Sequence, residues 1–173
     1  MNNDAHNYDR INVVKIIVES PQGRILLIQE PKMNEWMPGR WGLPGGRPLE
    51  KQSLKDATAA KMQEDLGRQL PVSGLFKIEE LLIDSRTVLM FIVVAKASEE
   101  FVPSGNAYAH RWVSWEEINA MQIEEFTEYY SKKLFSDYFN SQKNLVSLDI
   151  IETHTYYLFS GESEYMRWWG REQ

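Results

Sequence analysis

Two adjacent acids, Glu64 and Asp65, stand near the end of a stretch with a helical pattern, and Lys61 precedes them by three and four residues. On a helix those spacings put the three side chains on one face. The stretch follows Pro44-Gly45-Gly46, a run that continues neither a strand nor a helix and leaves the main chain open to close approach. Carboxylates facing a glycine loop suit a divalent cation. Mg2+ takes a few carboxylates plus waters and substrate oxygens, and it can bridge phosphate oxygens and activate a water. A backbone carbonyl of the loop can add a ligand. The same face admits a second arrangement, because Lys61 stands one turn before Asp65, at ion-pair spacing. Its ammonium can then neutralise the carboxylates where a metal would sit. A third reading, an ordinary surface helix ending in two acids, leaves the glycine run unexplained.

The elements around this stretch must position it. Residues 47–52 read as a polar loop. Ser53 opens the helix with Asp56 three residues on as a capping-box partner. The helix runs to Leu66 and stops at Gly67, with Leu54, Ala57, Met62 and Leu66 towards the core. Upstream, residues 12–19 and 24–30 are apolar strands joined by the turn Ser20-Pro21-Gln22-Gly23. The loop 31–40, with Trp36, Met37 and Pro38, delivers the chain to the glycines. Downstream, residues 73–82 and 87–97 predict a hairpin around Asp84-Ser85-Arg86, its second arm apolar enough to be buried on both faces. After a loop at 98–109 comes a short strand, 110–113. Ser114 and Glu117 fit the S-x-x-E pattern and open a further helix. Residues 124–140 predict one helix with an aromatic face, and 145–160 have high β-propensity. Residues 1–10 read as a polar lead-in.

The run from Trp41 to Gly67 resembles the Nudix box, G-x5-E-x7-R-E-U-x-E-E-x-G-U with a W-x-L-P-G-G lead-in. Trp41-Gly42-Leu43-Pro44-Gly45-Gly46 matches the lead-in, and Gly67 falls at the right distance from Gly46. Gln52 replaces the loop glutamate, Ala60 and Lys61 replace the Arg-Glu pair, and the later acids survive as Glu64 and Asp65. The resemblance to the Nudix hydrolase superfamily (MutT-like) implies an α/β (α+β) fold, a mixed sheet between helices, with a Nudix domain over 11–140 and a C-terminal extension at 141–173. It also implies Mg2+ or Mn2+ held by the Gly46 carbonyl, Glu64 and Asp65, unless Lys61 takes the metal's place. The activity implied is cleavage of a nucleoside diphosphate linked to another moiety. Gly45-Gly46-Arg47 and the L-G-x-x-L-P run from Leu66 to Pro71 are also similar to the GDP-mannose mannosyl hydrolase branch. That branch, however, keeps the loop glutamate and places its histidine earlier than His110.

His110 is the titratable base near this arrangement and the candidate general base, set against a structural histidine. Arg40 and Arg47 are candidates to meet a phosphate, or else surface charges. Trp36 can stack on a base or pack; Trp41 reads as packing; Tyr8 and Phe76 are open in the same way. Of the adjacent strand residues Glu79 and Glu80, at most one faces inward. The chain has 173 residues, 43% of them hydrophobic, enough for one well-cored domain and little more. A net charge of -6 argues against a general nucleic-acid binder, whose domains are usually basic. There is no cysteine, so disulfides and thiolate-held metals are excluded. The polar start lacks a signal-peptide core and no apolar run spans a membrane, so a cytoplasmic protein is expected. Three functions compete: a divergent hydrolase, a nucleotide-binding or regulatory protein that has lost catalysis, and an interaction module. In the last, the aromatic C-terminal third makes the contact, with a homodimer as the expected assembly.

Overall fold

The computed structural model describes residues 9–31, 37–83, 86–127 and 131–151. Among them, seven strands form one mixed sheet. Strand β1 (Asp9–Glu19) takes in Asp9 and Arg10, which the sequence assigned to the lead-in. It is followed by β2 (Ile25–Gln29), β3 (Trp41–Gly42), β4 (Gly45–Gly46), helix α1 (Leu54–Leu66), β5 (Val72–Ile83), β6 (Arg86–Lys96), β7 (Ala109–Val113), α2 (Trp115–Ala120) and α3 (Ser131–Asn140). The main path is β3-β2-β1-β6-β5, with β4 on β1 and β7 on β2. Strands β1 and β6 are parallel, in register from Asp9 opposite Arg86 to Glu19 opposite Lys96. Strands β5 and β6 form the expected antiparallel hairpin, with irregularities between Val72 and Gly74 and between Leu75 and Lys77.

Side chains of a strand alternate between faces, and here both faces are apolar. Val14, Ile16 and Val18 of β1 with Val93 and Ala95 of β6 pack with Ala57, Met62 and Leu66 of α1. Ile17, with Met90, Ile92 and Val94, packs on the other side with Ile118 of α2 and Leu134, Phe135 and Tyr138 of α3. The sheet is therefore enclosed by α1 on one face and by α2 and α3 on the other, which accounts for the unbroken burial of Ile92, Val93, Val94 and Ala95 along β6.

Local signals account for the helix limits. Ser53 caps α1 by accepting the Asp56 N–H, and Gly67, at φ 71°, ends it in the left-handed region where a side chain is disfavoured. The Asp56 carboxylate accepts from the Ser53 hydroxyl at 2.7 Å. Both halves of the capping box join Ser114 and Glu117.

The single helix expected over 124–140 is not formed. Residues Ile123–Glu125 make a 3-10 turn. Phe126 is then extended, with φ -92° and ψ 152°, and bridges Trp41, while Thr127 N–H donates to the Trp41 carbonyl at 2.9 Å. Phe126 is fully buried, and drawing it into the core overrides the helical preference of its neighbours. Of the β-rich segment 145–160, Val146 bridges Leu75 and Leu148–Ile150 form a 3-10 turn; its remainder beyond residue 151, like Tyr8, Trp36 and Asp84, lies outside the described residues. No described helix is long and apolar enough to cross a membrane.

Candidate functional site

Strand β4 brings the glycines against α1. Gly45 lies opposite Lys15 and Gly46 opposite Val14 in an antiparallel pair. A Cβ at Gly45, whose φ is +136°, would stand 3.0 Å from Lys15 Cα and closer still to the Val14 carbonyl oxygen. Only glycine lets the two backbones approach this far. The Gly45 N–H donates to Asp65 Oδ2 at 2.7 Å. This contact fixes the end of α1 over β4.

The three charged residues of α1 divide between two tasks. Lys61 Nζ donates to Glu64 Oε2 at 2.6 Å, an i,i+3 pair. The expected i,i+4 partner, Asp65, is instead buried against β4. Burial pushes the Asp65 carboxyl above its usual range, and the neighbouring Glu64 charge adds to the rise. The Gly45 hydrogen bond and the Lys61 and Lys15 charges offset only part of it. Lys61 closes the arrangement from the glycine side: a Cβ on Gly46 would meet its Cε at 3.4 Å and its Nζ at 3.5 Å. Gly45, Gly46, Lys61, Glu64 and Asp65 thus form one cluster.

A second loop holds the helix end from outside. Ser104 N–H donates to the Leu66 carbonyl at 3.1 Å and Asn106 N–H to the Glu64 carbonyl at 2.8 Å. These bonds satisfy carbonyls that a helix terminus leaves unpaired. The loop then leads to β7 and His110.

The other predicted residues are placed separately. His110, half-buried, lies opposite Ile28 on β7. Among the described residues no hydrogen bond or ion pair joins it to Glu64 or Asp65. Arg40 Nη1 reaches the Phe126 carbonyl at 3.5 Å, and Arg47 is exposed just after Gly46. Trp36 lies outside the described residues. Gln52, at the position of the loop glutamate, accepts the Leu49 N–H at 2.9 Å and so closes its own loop. Glu79 pairs with Lys77 at 2.7 Å and Glu80 with Arg10 at 3.9 Å, so neither is tied to the cluster. Lys15 was not singled out in the sequence. The alternation of β1 gives no hint that Lys15 acts on Asp65.

This donor set does not fit a divalent cation as it stands. Glu64 already carries the Lys61 ammonium, and Asp65 Oδ2 is engaged by the Gly45 amide. Among the described residues no group of three or more His, Cys, Asp or Glu side chains is gathered to hold a metal. Two open cavities, of about 290 and 350 Å3, lie elsewhere, on the flank of α1 that carries Lys55, where Leu148 and Asp149 cover it.

A second acidic centre sits at the far end of β1. Glu19 accepts from Lys96, from Lys143 at 3.1 Å and from the Tyr138 hydroxyl. Burial alone would raise its carboxyl, but these hydrogen bonds outweigh burial and hold it below the usual carboxylate range. Burial and the Glu19 charge push the Tyr138 phenol well above its own. This centre ties α3 to the sheet.

The fold has solved counterparts. The MutT protein from Methanosarcina mazei Go1 superposes with a TM-score of 0.67 at 21% identity, over 79% of this chain and 99% of that one. A NUDIX hydrolase from Nitrosomonas europaea gives 0.70 at 18%, over 84% and 98%. The NUDIX domain of Shewanella oneidensis NrtR, solved in complex with ADP ribose, gives 0.60 at 16%, over 82% and 100%. At these identities the likeness is one of fold. The sequence carries the assignment further: the NUDIX domain family matches residues 9–134, from the first residue of β1 into α3, and takes in the whole glycine-to-helix cluster. The chain therefore belongs to the NUDIX domain family.

Proposed function

We propose that this chain binds a nucleoside diphosphate linked to a further group, its diphosphate lying along Gly45–Gly46 and the end of α1, and that it does so without metal-dependent turnover. The Lys61–Glu64 ion pair at 2.6 Å, pressed against Gly46, carries this reading. A diphosphate needs compensating positive charge. Lys61 supplies it inside the cluster, Lys15 stands close enough to act on Asp65, and Arg47 is exposed at the edge. Glycine at position 46 leaves the backbone free of a Cβ for phosphate oxygens to approach. ADP ribose, bound by the NrtR domain, is a ligand of this chemical class. Arg40, Arg47 and Trp36 are the proposed contacts to the rest of the ligand.

The second reading is hydrolysis of the same ligand, with Mg2+ or Mn2+, Glu64 and Asp65 as metal ligands and His110 as base. It is favoured by the survival of both acids on one helix end. Calorimetry and thermal unfolding with ADP-ribose, GDP-mannose and ADP separate the two. Each is run in EDTA, in Mg2+ and in Mn2+, and products are followed by chromatography. The expected outcome is a ligand-dependent rise in Tm in EDTA without product, reflecting about 2.7 kcal/mol at a hundredfold excess over Kd. Metal-dependent product that Asp65→Ala abolishes establishes the hydrolase instead; no binding to any of the three overturns the nucleotide reading. Self-association through the C-terminal third is likewise a proposal. Sedimentation of the full chain against a chain ending at Ile151 tests it, and unchanged association counts against it.

A further inference from the structure

Lys61 has surroundings that are unusual for a surface lysine. Its side chain is only 15% exposed. Its Nζ rests on Glu64 Oε2, and its Cε and Nζ lie 3.4 and 3.5 Å from the place a Gly46 Cβ would occupy. The ammonium is therefore walled by glycine backbone on one side and by a carboxylate on the other, with Asp65 one residue further along α1. An ammonium has three N–H donors. The described contacts use one on Glu64, and the glycine side presents no bulk. Like charges at contact distance repel, so an ammonium held on Glu64 Oε2 opposes a divalent ion at the same carboxylate.

We infer that Lys61 is a built-in cation: its ammonium takes the place of a divalent ion beside Gly46 and Glu64, so that a diphosphate is held with no added metal. The ligand class rests on the reading under Proposed function, whereas the exclusion of metal does not. Because the cation is covalently attached, occupancy is independent of metal supply, and the site lacks the charge +2 centre that would activate a water.

Two measurements test this on the full chain. The first titrates Mn2+ alone and follows its free signal by electron paramagnetic resonance in wild type, Lys61→Ala and Lys61→Glu. Wild type is expected to leave Mn2+ free across the millimolar range, and both variants to bind it. Lys61→Glu should be the tighter, and its binding should be lost on adding Glu64→Gln. Circular dichroism verifies the fold, and Lys61→Ala keeps this arm readable if the glutamate variant does not fold. The second titrates inorganic pyrophosphate in EDTA by calorimetry. Wild type should bind, and Lys61→Ala should bind about tenfold more weakly, the scale of one charge-assisted hydrogen bond. Wild type that binds Mn2+ as tightly as the variants overturns the inference, as does pyrophosphate binding that requires Mn2+ or is unaffected by Lys61→Ala. Mn2+ binding gained by the variants without any pyrophosphate or nucleotide binding leaves Lys61 as the metal's substitute and overturns the ligand reading alone.

Discussion

Gly105→Ala tests whether the loop before β7 holds the end of α1. A Cβ at Gly105 would stand 2.5 Å from the Asp65 carbonyl carbon and 2.7 Å from its oxygen, and nearer still to the Glu64 carbonyl oxygen. All three are helix backbone atoms, so no side chain can rotate away. Either the loop lifts or the last turn of α1 shifts. Lifting the loop breaks the bonds from Ser104 to Leu66 and from Asn106 to Glu64. Overpacking of this kind costs about 1–3 kcal/mol, and each lost hydrogen bond about 0.5–1.5 kcal/mol. A total of about 3 kcal/mol lowers Tm by about 6–12 °C in a chain of this size. Differential scanning calorimetry reads the shift, with Gly23→Ala as comparison. Gly23, at φ +74°, has nothing within 4 Å of the point a methyl group would occupy, so only backbone strain acts there. Hydrogen exchange at the Asn106 amide should accelerate in Gly105→Ala. A Tm within about 2 °C of wild type, or unchanged protection of that amide, refutes the reasoning about the loop.

Glu19 and Asp65 predict opposite pH dependences. The Glu19 carboxyl is held below its unfolded value, so its stabilisation is present above that value and is lost as pH falls through the folded one. Glu19→Gln should flatten the acid limb of a Tm-against-pH curve, and an unchanged limb contradicts the assignment. Asp65 is held above its unfolded value, so its favourable contribution exists only in acid and is lost as pH rises through the folded value. Asp65→Asn keeps an acceptor for the Gly45 N–H and should melt no lower than wild type at neutral pH, its relative advantage shrinking in acid; a neutral-pH Tm well below wild type contradicts this. Tyr138→Phe removes the phenol bonded to Glu19 and should cost about 1.5–3 kcal/mol by denaturant unfolding, with a smaller loss in a Glu19→Gln background, where the amide oxygen still accepts but carries no charge.

Much of this architecture was legible because its signals are local. Ser53 and Gly67 marked the limits of α1, Ser114 and Glu117 the start of α2, and the nearly continuous apolar run within residues 87–97 the burial of β6 on both faces. The glycine lead-in pointed to the family through residues adjacent in the chain. What escaped the sequence depends on atoms distant along the chain. Helical spacing allowed Lys61 either acid, and the choice of Glu64 follows from the Gly45 amide claiming Asp65. Phe126 sits among acids and aromatics that read as helix, yet the core opposite Trp41 takes it in an extended conformation. Glu19 ends a strand beside a turn, where an acid is ordinarily solvated; its partners are 77 and 119 to 124 residues away.

The pairing of β1 with β6 bears on how the chain emerges during synthesis. Every one of its rungs joins residues 77 positions apart, Asp9 to Arg86 and Glu19 to Lys96 alike. A nascent chain that has not yet exposed β6 must therefore carry Val14, Ile16, Ile17 and Val18 with one edge of their strand unsatisfied, and β2 and β4 can occupy only the other. A transiently unpaired strand edge is prone to aggregation, and this one closes completely only when residue 96 is free to dock.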